Sequence, residues 1–383
     1  MAHLTGVFVV DAPASALNNA GPDTEARTEN AVAVKFIRTP EGRYPYVSAQ
    51  AVRYWLRTQL AQGDGWTSSP VFRETKVAYT DAEPTKYAED DLFGYMRAAS
   101  KSADEKKAAK RAEIAAQSTP VDSEVGEVTR IAPLRVGTLV SVGPTRIVSD
   151  FGTMARAEGD PVPHEHQFYR THLKAPIGID LTCAGTFFVS QRVGYKNLDK
   201  NRIESAKQAK ATEVTVRGFK GWRLPSAERR RRVAHVVRTL GRLEGGAKQT
   251  LHLTETAPAV LVLAVCGSGN HPFQRLFMAD ELGEKTVFRV DVFGEALRVF
   301  KDDFLSDIYI GWAKGFLDGE RVKLDGCLSA TGAASGNEAS QAEADVRATL
   351  QKLSGRKVHV GHPREIAEQM AADLQDEGNA WFD

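Results

Sequence analysis

Three cysteines in 383 residues, Cys183, Cys266 and Cys327, are too few and too far apart for a disulfide framework, and none sits in a CxxC pair of the kind that holds zinc. Buried structural thiols are expected. Long apolar runs are missing as well: the longest, Ala257–Cys266, falls far short of the roughly 20 residues a membrane-spanning helix needs. No basic segment precedes an apolar one at the start of the chain, and the Val7–Val10 run ends at Asp11, too short for a secretory signal. These absences point to a soluble, cytoplasmic protein with no membrane partner. Nucleotide-site signatures are also lacking. The segment Gly245-Gly246-Ala247-Lys248-Gln249-Thr250 does not have the GxxxxGKS/T spacing, and reads better as a helix-terminal glycine turn whose N–H groups, with Lys248, face phosphate oxygens. Gly267-Ser268-Gly269 runs into Asn270-His271-Pro272, a poor start for a nucleotide-binding helix. No cofactor is expected.

What the chain does have is lopsided charge. Residues 192–248 hold sixteen basic and five acidic side chains, a net +11 in a chain whose total is +1, so the remainder is acidic. Localised positive charge is the electrostatic footprint of a polyanion-binding face, and the alternative is a salt-bridged surface. Ser226, after Pro225, reads as the N-cap of a helix with an apolar stripe at Val233, Val236, Val237, Leu240 and Leu243. Arg229–Arg232 then fall in its first turns, where the macrodipole disfavours cations, an arrangement that suggests an external anion.

The remaining elements alternate. Leu4–Val10 reads as a buried strand, 31–38 as another, and Ser48 as the cap of a helix running to about Gln62. Ile177–Val189 is strand-like and Ala259–Cys266 strongly β-branched. Two strand–helix–strand passes predict an α+β protein with a ferredoxin-like or RRM-like antiparallel sheet core and inserted segments, an arrangement periodicity alone does not distinguish from other α+β ones. The core is expected over 1–100 and 126–275, interrupted by a charged linker at 101–125 and a thumb-like loop at 151–175. Residues 276–328 complete it, 329–345 form a flexible linker, and 346–383 a C-terminal segment. His164, His166 and His172 have no carboxylate or cysteine company and read as surface or RNA-contacting groups. Asp11, Asp23 and Asp150 border turn-forming residues.

The order of several short segments resembles one family. Val7-Phe8-Val9-Val10-Asp11 leading to Ala16–Ala20, then Tyr46–Arg53, Asp91–Met96, Ala132–Val136, Ser149–Thr153, Glu165–Arg170, Gly194–Leu198 and the Gly-Gly-Ala-Lys loop resemble the DevR-like branch of the RAMP superfamily, the guide-RNA backbone subunits of type I-B CRISPR surveillance (Cascade) complexes. The resemblance covers residues 7–248. The last third matches loosely, around Asp307–Gly315, and 101–118 looks like an addition.

The resemblance implies a non-catalytic subunit that polymerises head to tail along CRISPR guide RNA and leaves the bases free to pair with target DNA in antiviral defence. Further partners would be a related subunit capping the 5′ end, a large subunit and the guide-processing endonuclease. RNA of arbitrary sequence must be held by its backbone, which calls for cations, amides and glycine-turn N–H groups. The expected contacts are Asn18, Asn19, Arg27, Ser48, Gln50, Arg53 and Arg57 in the first part of the chain. Arg135, Phe151, Met154, Arg156 and Lys174 follow in and around the thumb, with Phe151 and Met154 as apolar wedges between bases. Lys196, Arg217, Lys220, Arg223, Arg230, Gly245, Gly246, Lys248 and Gln249 complete the set. Two alternatives remain: a metal-dependent target-RNA endonuclease of the type III backbone kind, using Asp23 or Asp11, and a free-standing single-stranded RNA-binding protein.

Overall fold

The most β-branched runs lie side by side. In the computed structural model, which describes residues 1–22, 28–73, 77–99, 113–114, 116–154, 160, 162–329, 340–353 and 355–383, strand His3–Ser15 is flanked by Val260–Cys266 and Val162–Asp180, both antiparallel to it. Leu134–Val136 and Leu139–Ser141 pair with Val162–Asp180 in turn. Helices Ala49–Ala61 and Ser226–Leu240 connect these strands, so the chain runs strand, helix, strand, strand, helix, strand. Across the sheet the order is fourth, first, third, second, the ferredoxin-like arrangement expected from the sequence. Ile308–Trp312 and Val358–Gly361 extend the sheet beyond Val260–Cys266, and Gly42–Val47 with Phe36–Thr39 extend its other side.

Strand alternation sends side chains to two cores. Leu4, Phe8, Val10, Leu261, Leu263, Leu173 and Ile177 pack against Ala49–Ala61, Ser226–Leu240 and the C-terminal helix Pro363–Gln375. Val7, Val9, Val260, Val262 and Ala264 face the other way, under residues 273–328 and 340–353. Both faces being covered explains why these strands read as unbroken apolar runs rather than alternating ones. Each large side chain buried here contributes about 1.5–3 kcal/mol.

Local signals placed most ends well. Ser48 caps its helix, its side chain accepting from Ala51 N–H, and Val52, Trp55, Leu56 and Leu60 are buried. The arginine helix is capped by Pro225 instead of Ser226, whose hydroxyl accepts from Arg230 Nε at 2.9 Å. The expected strand over 31–38 breaks at Lys35, where the chain changes partner: Lys35 N–H donates to Asn18, and Tyr46 N–H donates to Lys35. The expected strand 177–189 also splits. Asp180 accepts from Cys183 N–H at 3.0 Å in a turn, and Thr186–Phe188 then joins a separate three-stranded sheet with Phe219–Arg223 and Thr212–Val216.

Where the expected thumb-like loop of 151–175 is described, at 151–154 and 162–175, it is β-ribbon. Ile147–Met154 pairs with Val162–Asp180 in register from Ile147 opposite Tyr169 to Met154 opposite Val162. Its glycine, prolines and histidines suggest a loop, but ladder hydrogen bonds depend only on backbone, and Val148, Phe151, Val162 and Phe168 favour strand. Asp23, Arg27 and Arg156 lie outside the described residues, as do 101–112 of the charged insertion and 330–339 of the expected linker. All three cysteines are free, and burial pushes Cys183 up to about 11 and Cys266 and Cys327 up to about 12, as inert thiols require. Among the described residues no helix is long and apolar enough to cross a membrane.

Candidate nucleic-acid interface

The arginines at the centre of the basic block are internal. Arg202, Arg229, Arg230 and Arg232 are buried, which corrects the reading of Arg229–Arg232 as ligands for an external anion. Arg229 donates to the carbonyls of Ala184 and Leu181 and to Phe382 at 2.5 Å. Arg230 donates to the carbonyls of Asp376 and Asn379 at 2.6 and 2.7 Å, so this expected RNA contact instead fastens the C-terminal segment to the core. Arg231 pairs with Glu228 at 2.7 Å.

Arg232 belongs to a buried charge network centred on Asp91, whose side chain is fully enclosed. Asp91 accepts from Arg130 Nη2 at 2.5 Å and Arg232 Nη1 at 2.9 Å, and from Gly185 N–H at 3.0 Å. The remaining guanidinium donors reach the carbonyls of Thr186, Cys183, Pro84 and Thr85. A buried carboxylate between two fully bonded arginines is a satisfied interior network.

Most other expected contacts also have internal partners. Arg53 donates to Leu134 and Phe93 carbonyls, both at 2.7 Å, and burial, with Arg57 beside it, lowers its pKa. Arg57 pairs with Glu89 at 2.9 Å, and Arg217 with Asp180 at 3.2 Å. Lys196 donates to Val125 O at 2.6 Å, and Arg223 to Thr186 Oγ1 at 3.2 Å. Lys174 donates to Phe277 O at 2.6 Å beneath the covering segment, where burial lowers its pKa to about 8. Gln50, Arg135 and Lys220 are exposed.

The glycine loop is not the helix terminus expected of it. The helix ends at Leu240 with Gly241 as its cap, and Gly245–Gly246 come later. A Cβ on Gly245 would strike the Trp55 ring and one on Gly246 would strike Leu17, so close approach requires glycine at both. Ala247 N–H is taken by Leu17 O at 3.0 Å. The loop thereby abuts Asn18 and Asn19: Asn18 donates to Tyr46 O, and Asn19 Oδ1 is buried without a partner. Gln249 bridges Gly245 O and Thr254 O. Lys248, half-exposed, leads into His252, whose ring lies 5.7 Å from both His166 and Phe168 at the root of the ribbon.

Beside that root lies a groove that sequence reasoning missed. A cavity of about 440 Å³ is lined by Lys35, Phe36, Arg38, Arg43, Tyr46 and Gln167, among others. Arg38 and Arg43 are register partners on adjacent strands, and their guanidiniums sit 5.9 and 4.9 Å from the Phe36 ring centroid. Among the described residues neither has a carboxylate partner. Like charges directly opposite on a sheet are destabilising, so an anion between them relieves a real cost. The only trace in the sequence is the mixing of basic and aromatic residues in Lys35-Phe36-Ile37-Arg38 and Arg43-Tyr44-Pro45-Tyr46.

The ribbon projects past this groove with its apolar side chains bare: Phe151 is 60% and Met154 64% exposed. Three residues apart on a strand, they leave from opposite faces. Asp11 is ion-paired with Arg170, and exposed Asp150 lies 3.7 Å from His166. Among the described residues no three His, Cys, Asp or Glu side chains converge as a metal site.

No family model and no curated protein matches the sequence. Among solved structures the chain is similar to one described as "CRISPR RNA-guided surveillance complex", with TM-score 0.44 and 11% identity over 97% of this chain and 99% of that chain. It is also similar to one described as "CRISPR RNA-guided surveillance complex, pre-nicking", with TM-score 0.48 and 13% identity over 97% and 99% of the two chains.

Proposed function

We propose that this chain is a non-catalytic subunit that holds the sugar–phosphate backbone of a CRISPR guide RNA, in the manner of the DevR-like, type I-B backbone subunits its segment order resembles. The observation that carries the reading is the Arg38–Arg43 pair stacked about Phe36 in an open groove. Two cations without a carboxylate partner among the described residues, and an aromatic face, suit phosphates and a base of single-stranded RNA without reading its sequence. The groove leads past Asn18, Asn19 and Lys248 to the ribbon, which supplies the thumb. A heterologous contact made by the ribbon on the next copy does not close on itself, so copies add along the guide. Pairing with target DNA, the 5′-capping subunit, the large subunit and the processing endonuclease follow from the same resemblance, as does a cytoplasmic location.

Assembly tests the role of the ribbon. Phe151→Ala with Met154→Ala is expected to reduce the number of copies bound per full-length guide, read as a shift of the size distribution by sedimentation, while a short RNA filling one copy binds within about two-fold of wild type. Unchanged assembly would remove the ribbon from the interface.

Cleavage tests the absence of catalysis. Loaded with guide, the protein is expected to leave complementary single-stranded RNA intact in Mg²⁺ or Mn²⁺ while still pairing with it. Metal-dependent cuts at regular spacing, lost in Asp23→Ala, would make it an endonuclease of the type III kind.

A further inference from the structure

Residues 273–328 and 340–353 cover the second face of the sheet over its central strands, and at the end where His3 pairs with Asp180, Asn270 and His271 lie against it. Thr5, Gly178 and Arg135 stand side by side there on three adjacent strands. A Cβ on Gly178 would lie 3.1 Å from His271 Cε1, so the bare glycine lets the imidazole rest against the sheet next to exposed Arg135. Thr5 Oγ1 holds His271 Nδ1 at 2.8 Å, which fixes the ring. On the neighbouring row Asp180 accepts from Cys183 N–H at 3.0 Å and pairs with Arg217 at 3.2 Å. A cavity of about 40 Å³ opens among Arg135, Arg217, Asp180, Tyr195 and Asn197, room for a few water-sized atoms and so for one small oxyanion, but not for a nucleoside.

The charges around it are unbalanced. Arg130 also lines the cavity but is neutralised by Asp91; the other two guanidiniums face a single carboxylate, and Arg135 has no carboxylate partner among the described residues. Burial lowers the pKa of both histidines: at His3, Asp180 opposes the shift while Arg217, Arg135 and the N-terminal amine add to it, and at His271 Arg135 adds to it. An anion placed between the arginines offsets that repulsion and favours the imidazolium forms.

We propose that Arg135 and Arg217, backed by His3 and His271, form a phosphate-binding site at the end of the sheet remote from the ribbon. Ten strand residues lie between Gly178 and Gln167 of the groove, roughly 35 Å of chain, so the two sites contact different phosphates. The ligand class is a phosphate group, either a phosphodiester within a strand or a terminal phosphate. That the strand is guide RNA rests on the function proposed above.

The test uses sulfate, which keeps its charge between pH 6 and pH 8, as a probe of the full-length chain, read by histidine-ring NMR. Sulfate is expected to move the resonances of His3 and His271, to raise their titration midpoints, and to bind about three-fold or more tightly at pH 6 than at pH 8, since a raised midpoint and tighter binding of the anion by the protonated form are linked. Arg135→Gln, which alters only an exposed side chain, is expected to weaken that binding without changing the melting temperature, and Arg135→Gln with Arg217→Gln to abolish it. Resonances that do not move, or a sulfate response that survives both substitutions, overturn the site. Single-stranded RNA with a 5′-phosphate or a 5′-hydroxyl then identifies the source: preference for the former assigns a terminal phosphate, and equal effects of Arg135→Gln on both assign a phosphodiester. A protein that responds to sulfate here but binds neither RNA keeps the anion site and loses the RNA reading.

Discussion

Asp91→Ala is expected to cost about 3–5 kcal/mol of folding stability, because it leaves the guanidiniums of Arg130 and Arg232 buried without their shared counter-ion. The loss reaches further than one ion pair. Arg130 ties the segment around Asp91 to Thr186, Cys183 and Asn197, and Arg232 ties the arginine helix to Pro84 and Thr85. Once the carboxylate is gone, Arg232 keeps only its Nε ion pair with Glu228 and Arg130 has no carboxylate left, so Arg130 must draw in water or swing outward, which loosens the contact between the ferredoxin-like core and the small three-stranded sheet. Denaturant midpoints of the free chain would measure the effect, with Asp91→Asn as a milder variant that keeps an acceptor but not the charge. A change below about 1 kcal/mol in both would mean that the arginines find other partners at little cost.

Lys35→Gln, Arg38→Gln and Arg43→Gln together are expected to flatten the salt dependence of single-stranded RNA binding by about two units in log K against log salt, since each lost phosphate contact on a single strand removes about 0.7. The weakening should be similar for unrelated sequences, because no base edge is read. Stability should stay level or rise slightly, the Arg38–Arg43 repulsion having been removed. Arg230→Met is the informative contrast: it neutralises one cation of the block but empties a buried socket of carbonyls, so it should lower stability and leave the salt slope of the surviving fold alone. A slope that changes with Arg230 and not with the groove would reverse the assignment of the interface.

The contrast between these cations marks where sequence reading succeeded and failed. Ser48, the helix it caps, the strand at Val260–Cys266 and the apolar stripe of the arginine helix were legible because each depends on neighbours within a few residues. The ferredoxin-like order was accessible for a related reason, as the alternation of strands and helices leaves few ways to pair them. The small three-stranded sheet and the ribbon were less so, since a strand is made by its partner as much as by its own residues, and Ile147–Met154 is paired by the first half of Val162–Asp180.

Charge was the hardest quantity to place. The sequence by itself determined an α+β chain with free cysteines, buried β-branched strands and an excess of basic residues between 192 and 248, because composition and periodicity carry that information. Only the tertiary structure decided which arginines meet solvent. Arg230 is internal because Asp376 and Asn379 return to it from the far end of the chain, whereas Arg38 and Arg43 face each other outside because a hairpin at Gly42 folds them together. A guanidinium is equally charged in either place, and it is the oxygen atoms brought to it by folding that determine whether it holds the protein together or remains free to bind something else.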